Sequence, residues 1–243
     1  MLASRRQFLQ VGSAGAACAA LGLAGEPVLG MIFPPANYQV PPEAAKMYPT
    51  GIRFLAEGVG LERTTPEGYD KVVDRIVPAA QHLAKQGANG ISVMGTSLTF
   101  YKGAAFNEQM KQSITKATGL RSTTMSTAIV EGLKAVGGRR VAVATAYNEE
   151  VNHRLRVFLE ESGFEVLAVK GLGIERFEDS PPVTQDGLLQ FSAGVRETAP
   201  KAVSGASSSW TFPGAASPLP FLVTLPSSAR LRRTSLGSAI SGR

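Results

Sequence analysis

The sequence of 243 residues has one cysteine, Cys18, and two histidines, His82 and His153. A lone thiol excludes an intramolecular disulfide and any multi-cysteine metal or iron–sulfur centre, and two isolated imidazoles give no metal-ligand spacing, so no metal is expected. No uncharged apolar run approaches the roughly 20 residues of a membrane span, and stable membrane insertion of the mature chain is not expected. Acidic residues are missing from one whole stretch: residues 201–243 carry Lys201, Arg230, Arg232, Arg233 and Arg243 without a single Asp or Glu. That stretch and a basic leader supply the net charge of +6, because residues 31–200 hold 18 basic and 18 acidic side chains. With the body neutral, nucleic acid is not an expected partner. The 44% of hydrophobic and 18% of charged residues suit one large or two small packed domains.

Three compositional zones follow. Residues 1–30 open with Ser4-Arg5-Arg6-Gln7-Phe8-Leu9-Gln10 and a Gly/Ala-rich apolar stretch from Val11 to Leu23. Paired arginines before Phe-Leu and an uncharged run read as a twin-arginine signal peptide, which implies the export machinery as a partner and a periplasmic or exported location. Cleavage is expected between residues 20 and 31, which would discard Cys18. Three alternatives stay open: a frayed basic N-terminus, a short amphipathic helix, and a lipoprotein signal acylated at Cys18, against which Gly15 stands where a larger aliphatic residue is usual.

The middle zone alternates strand-like and helix-like segments. Val28 to Phe33 is an apolar run ended by Pro34-Pro35. Thr65-Pro66-Glu67 opens a helix with a capping hydroxyl and a proline at its first position; Tyr69, Val72, Val73, Ile76 and Leu83 share one face, Pro78 is expected to bend it, and Gly87 stops it. Gly90 to Met94 reads as a strand, Ala104 to Thr118 and Thr127 to Val136 as helices, and Arg140 to Thr145 as a strand. Glu149 to Ser162 reads as a helix, Phe164 to Val169 as a strand, and Thr184 to Glu197 as a helix. The expected fold is α/β, with two pseudo-symmetric Rossmann-like halves, 31–135 and 136–200, built on parallel sheets. His82 and His153 are expected at helix surfaces, and Glu149-Glu150 and Glu160-Glu161 as solvated helix charges.

Ligands of open parallel sheets gather at the carboxyl ends of strands. Three such ends carry candidates: Pro34-Pro35-Ala36, Met94-Gly95-Thr96-Ser97-Leu98-Thr99-Phe100-Tyr101-Lys102-Gly103, and Ala144-Thr145-Ala146-Tyr147-Asn148. The segments Gly30 to Pro35, Thr65-Pro66-Glu67-Gly68-Tyr69-Asp70, Met94 to Asn107, Thr123-Thr124-Met125-Ser126-Thr127-Ala128 and Arg140 to Tyr147 resemble the arylmalonate decarboxylase family, within the aspartate/glutamate racemase and maleate isomerase superfamily. The resemblance covers about residues 30–200. It implies a cofactor-free enzyme that removes one carboxylate from a substituted malonate through an enediolate, with a small carboxylate as substrate. It also implies that Thr96, Ser97 and Tyr147 form an oxyanion hole beside Gly95, with Pro34, Pro35, Leu61 and Leu98 lining apolar surface. Gly95 stands where the family's racemases have a cysteine.

The resemblance breaks in the third zone. The family's proton-donating cysteine belongs to a Ser-Cys-Gly-Gly turn, and this chain has Ser207-Ser208-Ser209-Trp210, with Ser209 at about the matching position. General acid–base help is worth about 10²- to 10⁴-fold in rate, so catalysis is expected to be impaired. Residues 201–243 hold ten serines and no acid, and Pro213, Pro218, Pro220 and Pro226 punctuate them. They read either as a natural Ser/Pro/Arg-rich tail or as out-of-frame translation of a GC-rich gene; the abrupt end of the resemblance favours the second, with the last strands of the second half then missing. Two other functions remain open: a racemase or maleate cis–trans isomerase of the same superfamily, and a non-catalytic carboxylate-binding protein.

Overall fold

The computed structural model describes residues 26–40, 44, 48, 51–135, 137–175 and 185–199, and the backbone of 205–210 and 221–226. The signal-peptide reading, its cleavage sites and Cys18 lie outside these residues.

The first half builds one parallel sheet. Strand β1 (Val28–Phe33) pairs on one side with β2 (Arg53–Gly58) and on the other with β3 (Gly90–Val93), and β3 pairs with β4 (Arg121–Thr124), giving the order β2-β1-β3-β4. The near-continuous apolar run of β1 suits a strand covered on both faces. β2 and β4 are edges, and their polar residues hid them from a hydrophobicity pattern. Helix α1 (Pro66–Val72) begins as expected, with Thr65 Oγ1 accepting from the Gly68 N–H and proline in the first turn. The expected single bent helix is instead two. A 3₁₀ turn over Val73–Arg75 separates α1 from α2 (Ile76–Lys85), because the ring of Pro78 cannot sit over the carbonyl of Asp74 in a continuous α-helix, whereas in the first turn of a new one it is tolerated. A five-residue helix α3 (Thr96–Phe100) follows β3, then α4 (Gly103–Thr118), and α5 (Met125–Ala135) leads to the second half.

In the second half β5 (Arg140–Thr145) pairs in parallel with β6 (Glu165–Gly171), with α6 (Glu149–Glu161) crossing between them. Asn148 caps α6 through its side-chain oxygen, which accepts from the Val151 N–H, and Val151, Leu155, Phe158 and Leu159 form its buried stripe. The faces of β5 differ. Val141 and Val143 join the main core with Phe158 and Leu159, while Ala142 and Ala144 meet Val195 and Ala199 around α7 (Gln185–Glu197).

Beyond residue 200 two strands are described, β7 (Gly205–Trp210) and β8 (Phe221–Pro226), which extend the second sheet to the order β6-β5-β8-β7. β8 runs antiparallel to both neighbours, so this sheet is mixed rather than wholly parallel. The ten residues between β7 and β8 are too few for a parallel crossover, which takes a dozen or more. The apolar run Phe221-Leu222-Val223-Thr224-Leu225, overlooked among the serines, has the length and β-branched content of a strand.

One main core runs through both halves: Phe100 of α3 lies 5.9 Å from the Tyr147 ring and 6.0 Å from that of Phe158. Polar ties cross the same boundary. Arg154 donates to the Tyr101 carbonyl (3.0 Å), and the Glu161 carboxylate accepts from the Ala104 N–H (2.8 Å) at the start of α4. Glu161 is therefore more than a solvated charge. His82 and His153 are surface residues, as expected, and His82 pairs with Glu57 at 2.7 Å.

Candidate active site

The strand order of the first sheet reverses between β1 and β3, where open α/β sheets form a crevice. Pro34-Pro35 follows β1 and Gly95-Thr96-Ser97 follows β3, and these loops touch. A Cβ on Gly95 would come within 2.6 Å of Pro34 Cγ and 3.2 Å of Leu98 Cβ, so the turn exists at this spacing because residue 95 has no side chain. Leu98 is wholly buried, and Leu61, buried too, donates its backbone N–H to the Pro34 carbonyl at 2.7 Å.

The loops after β1 and β5 are placed by the same device. Each folds back over the last residue of its outer neighbour, Gly58 of β2 and Gly171 of β6. A Cβ on Gly58 would stand 2.0 Å from the Pro35 carbonyl oxygen, and one on Gly171 would stand 1.9 Å from that of Tyr147. These approaches carry Tyr147 to the other lobe, where its hydroxyl meets Thr96 Oγ1 at 2.6 Å, buried. Of the three residues expected to form the hole, the structure thus brings Thr96 and Tyr147 together directly, with Gly95 next to them. Ser97, 4% exposed, stands beside the phenols of Tyr147 and Tyr69.

Tyr69 was missed as a site residue because it fits the packing stripe of α1. It is completely buried, its ring 4.9 Å from that of Tyr101, and its hydroxyl has no hydrogen-bond partner among the described residues. Ser97 is near enough to lower its pKa, yet no hydrogen bond of acceptable geometry joins them. A buried hydroxyl left without a partner costs about 1–3 kcal/mol. Burial pushes both phenols above their ordinary range, Tyr69 well above, with the Tyr147 charge adding to the rise at Tyr69 and Thr96 and Ser97 offsetting part of it at Tyr147. At neutral pH both are therefore neutral donors.

The floor beneath Thr96 is made of hydroxyls. Thr99 Oγ1 and Ser126 Oγ are 2.6 Å apart, Ser126 donates to the Thr96 carbonyl at 3.0 Å, and Thr99 Oγ1 lies 3.0 Å from the Gly95 carbonyl oxygen. At the lobe boundary Thr64 Oγ1 donates to the carbonyls of Ile174 and Glu175, and Arg63 pairs with Glu175 at 2.8 Å beside a polar cleft of about 670 Å³. The backbone of Ser209 pairs with Leu222 of β8, which pairs in turn with Ala144 near the carboxyl end of β5, two strand spacings or about 10 Å away. Among the described residues no three His, Cys, Asp or Glu side chains are grouped to hold a metal.

Two α/β lobes with buried hydroxyls meeting across them at strand carboxyl ends define the class of protein. The arylmalonate decarboxylase family profile matches residues 29–206. A curated arylmalonate decarboxylase of Bordetella bronchiseptica is 47% identical over 177 residues, 73% of each chain. The structure of unliganded arylmalonate decarboxylase is similar with a TM-score of 0.64 and 46% identity, over 72% of this chain and 73% of that one. The maleate cis–trans isomerase of Nocardia farcinica shares the fold at 16% identity, with a TM-score of 0.65 over 70% of this chain and 73% of that one. The chain belongs to the arylmalonate decarboxylase family, a family of enzymes.

Proposed function

We propose that the chain acts on aryl- or alkyl-substituted malonates, removing one carboxylate through an enediolate, and that the loss of the family's cysteine impairs it. The observation that carries this reading is the 2.6 Å contact between Thr96 and Tyr147 across the lobes, with the unpaired Tyr69 hydroxyl nearby.

Hydrogen accounting supports it. Thr96 and Tyr147 hold two hydroxyl protons, and their mutual bond uses one, which leaves one for a guest or for the neighbouring Ser97. Tyr69 and Ser97 each bring another. When the carbon–carboxylate bond of a malonate breaks, its electron pair flows into the retained carboxylate, which becomes an enediolate as carbon dioxide leaves. Donors aimed at that carboxylate bind the transition state more tightly than the ground state, and one such donor is typically worth about 2.7–4 kcal/mol. Pro34, Pro35, Leu61 and Leu98 offer the leaving carboxylate apolar surface, against which neutral carbon dioxide is favoured over the anion.

Protonation of the enediolate carbon is the weak step. The sequence holds no cysteine after Cys18, and a serine hydroxyl is far too weak an acid to replace a thiol near neutral pH. The same absence favours a second reading, a carboxylate-binding protein without turnover. Racemase or isomerase chemistry with two bases is disfavoured, since Gly95 offers no base and the cysteine is missing. Export by the twin-arginine route belongs to the proposal and rests on Arg5-Arg6 and the apolar run behind them.

The test is carbon dioxide release from phenylmalonate, alongside calorimetric binding. Slow release that Tyr147→Phe abolishes and Ser209→Cys increases is expected. Binding without release in both the parent and the Ser209→Cys chain supports the second reading, and a parent that neither binds nor turns over phenylmalonate refutes both.

A further inference from the structure

Tyr147 sits in a loop, yet both polar groups of its backbone are held by buried side chains that the proposed chemistry does not use. Its N–H donates to Thr145 Oγ1 (3.1 Å), Thr145 Oγ1 donates to Asn152 Oδ1 (2.6 Å), and Asn152 Nδ2 donates to the Tyr147 carbonyl (3.2 Å). The three bonds close a ring. Thr145 is 1% and Asn152 3% exposed, so water cannot replace either partner. The ring also fixes the Asn152 amide, because a flipped one would set its oxygen against the Tyr147 carbonyl. It joins the last residue of β5, the loop and the first turn of α6, and Gly171 leaves the space in which it lies: a Cβ there would stand 2.3 Å from Asn152 Nδ2.

A phenol is a long lever. A backbone rotation of about 10° swings its hydroxyl by about 1 Å, enough to lose the productive geometry of a donor. We propose that Thr145 and Asn152 are positioning residues whose closed ring aims the Tyr147 hydroxyl at Thr96 and at the retained carboxylate. The proposal rests on the reading of the site as carboxylate-binding. It assigns work to side chains that touch no substrate: Thr145 and Asn152 act only through Tyr147.

The test uses the full chain labelled with [¹³Cζ]tyrosine, the Tyr147 resonance being identified by its loss in Tyr147→Phe. Thr145→Val, which keeps the side-chain shape and deletes the hydroxyl, is expected to move or broaden that resonance and to weaken phenylmalonate binding about tenfold. Thr145→Ser, which keeps the hydroxyl, is expected to restore both. In the Tyr147→Phe background, Thr145→Val is expected to change affinity less than about twofold, because the group it aims is already gone. Asn152→Ala opens the ring from the α6 side with the same expectations and serves if Thr145→Val does not fold. An unmoved Tyr147 resonance, or an equal loss of affinity with and without the phenol, overturns the proposal and reduces the ring to a cap on β5. A resonance that moves in a chain that binds no phenylmalonate upholds the positioning and refutes the carboxylate reading instead.

Discussion

Replacing Gly171 with alanine tests whether close backbone approach holds the second-lobe loop in place. The added Cβ would lie 1.9 Å from the Tyr147 carbonyl oxygen and 2.3 Å from Asn152 Nδ2, where real Cβ contacts essentially never fall below 3.0 Å. The nearer of these is a backbone atom, so the loop must retreat by about 1 Å rather than a side chain turn aside. Overpacking of this kind costs about 1–3 kcal/mol. The retreat also strains the hydrogen bonds that the Tyr147 carbonyl accepts from Asn152 and from the Gly173 N–H, each worth about 0.5–1.5 kcal/mol. A loss of about 3 kcal/mol corresponds to a fall in Tm of about 6–12 °C for a chain of this size. Gly132 in α5 is the control: a Cβ there meets nothing within 4 Å, and alanine in an exposed helix is worth about 0.5–1 kcal/mol, a rise of about 1–4 °C. Calorimetric melting of the two variants should therefore move in opposite directions. A Gly171→Ala chain that melts with the parent and binds phenylmalonate equally well refutes the reasoning.

Gly95→Ala sets a Cβ 2.6 Å from the Pro34 ring and should weaken phenylmalonate binding by displacing the Pro34-Pro35 loop, as calorimetry will show. Burial raises the pKa of Tyr69 and Tyr147, so their contribution to stability is complete below about pH 10 and lost as pH rises through the folded-state values; urea midpoints should fall above pH 10, less steeply for Tyr147→Phe. Lys102, 2.6 Å from Asp70, holds that carboxyl below its ordinary range together with Tyr101. Lys102→Ala should raise the Asp70 midpoint in an NMR titration while changing stability by less than about 1 kcal/mol, since both partners are half exposed. The composition of residues 201–243 predicts a one- or two-base shift in the coding DNA near codons 198–206, and sequencing that finds the frame intact overturns that reading.

Much of the fold was legible because local chemistry and tertiary packing agree at particular residues. Thr65-Pro66 opens α1, Gly119 in a left-handed conformation ends α4, and the apolar runs of β1, β3 and β5 mark the buried strands. β2 and β4 were not legible, because an edge strand needs no full apolar face; in β4 the buried Thr124 is satisfied by the Asn107 side chain rather than by hydrophobic contact. The site divides in the same way. Gly95, Thr96, Ser97 and Tyr147 stand at strand ends, where a parallel sheet directs attention. Tyr69 hides in a helical stripe, where its ring satisfies the packing pattern and only its missing hydroxyl partner gives it away. The partners of Thr99, Ser126 and Asn152 are invisible in one dimension, since a buried hydroxyl or amide has no periodicity and its partner is set by the fold.

The paired tuck of two loops over Gly58 and Gly171 makes the halves of the crevice alike in backbone and unlike in chemistry. One wall presents Pro34-Pro35, which have no N–H to give; the other presents Ala146-Tyr147-Asn148 with its phenol. A disubstituted malonate carries two carboxylates that are chemically identical and related by reflection. On the proposed reading, the unlike chemistry of two loops that the fold places as counterparts is what would tell those carboxylates apart, before any proton is delivered.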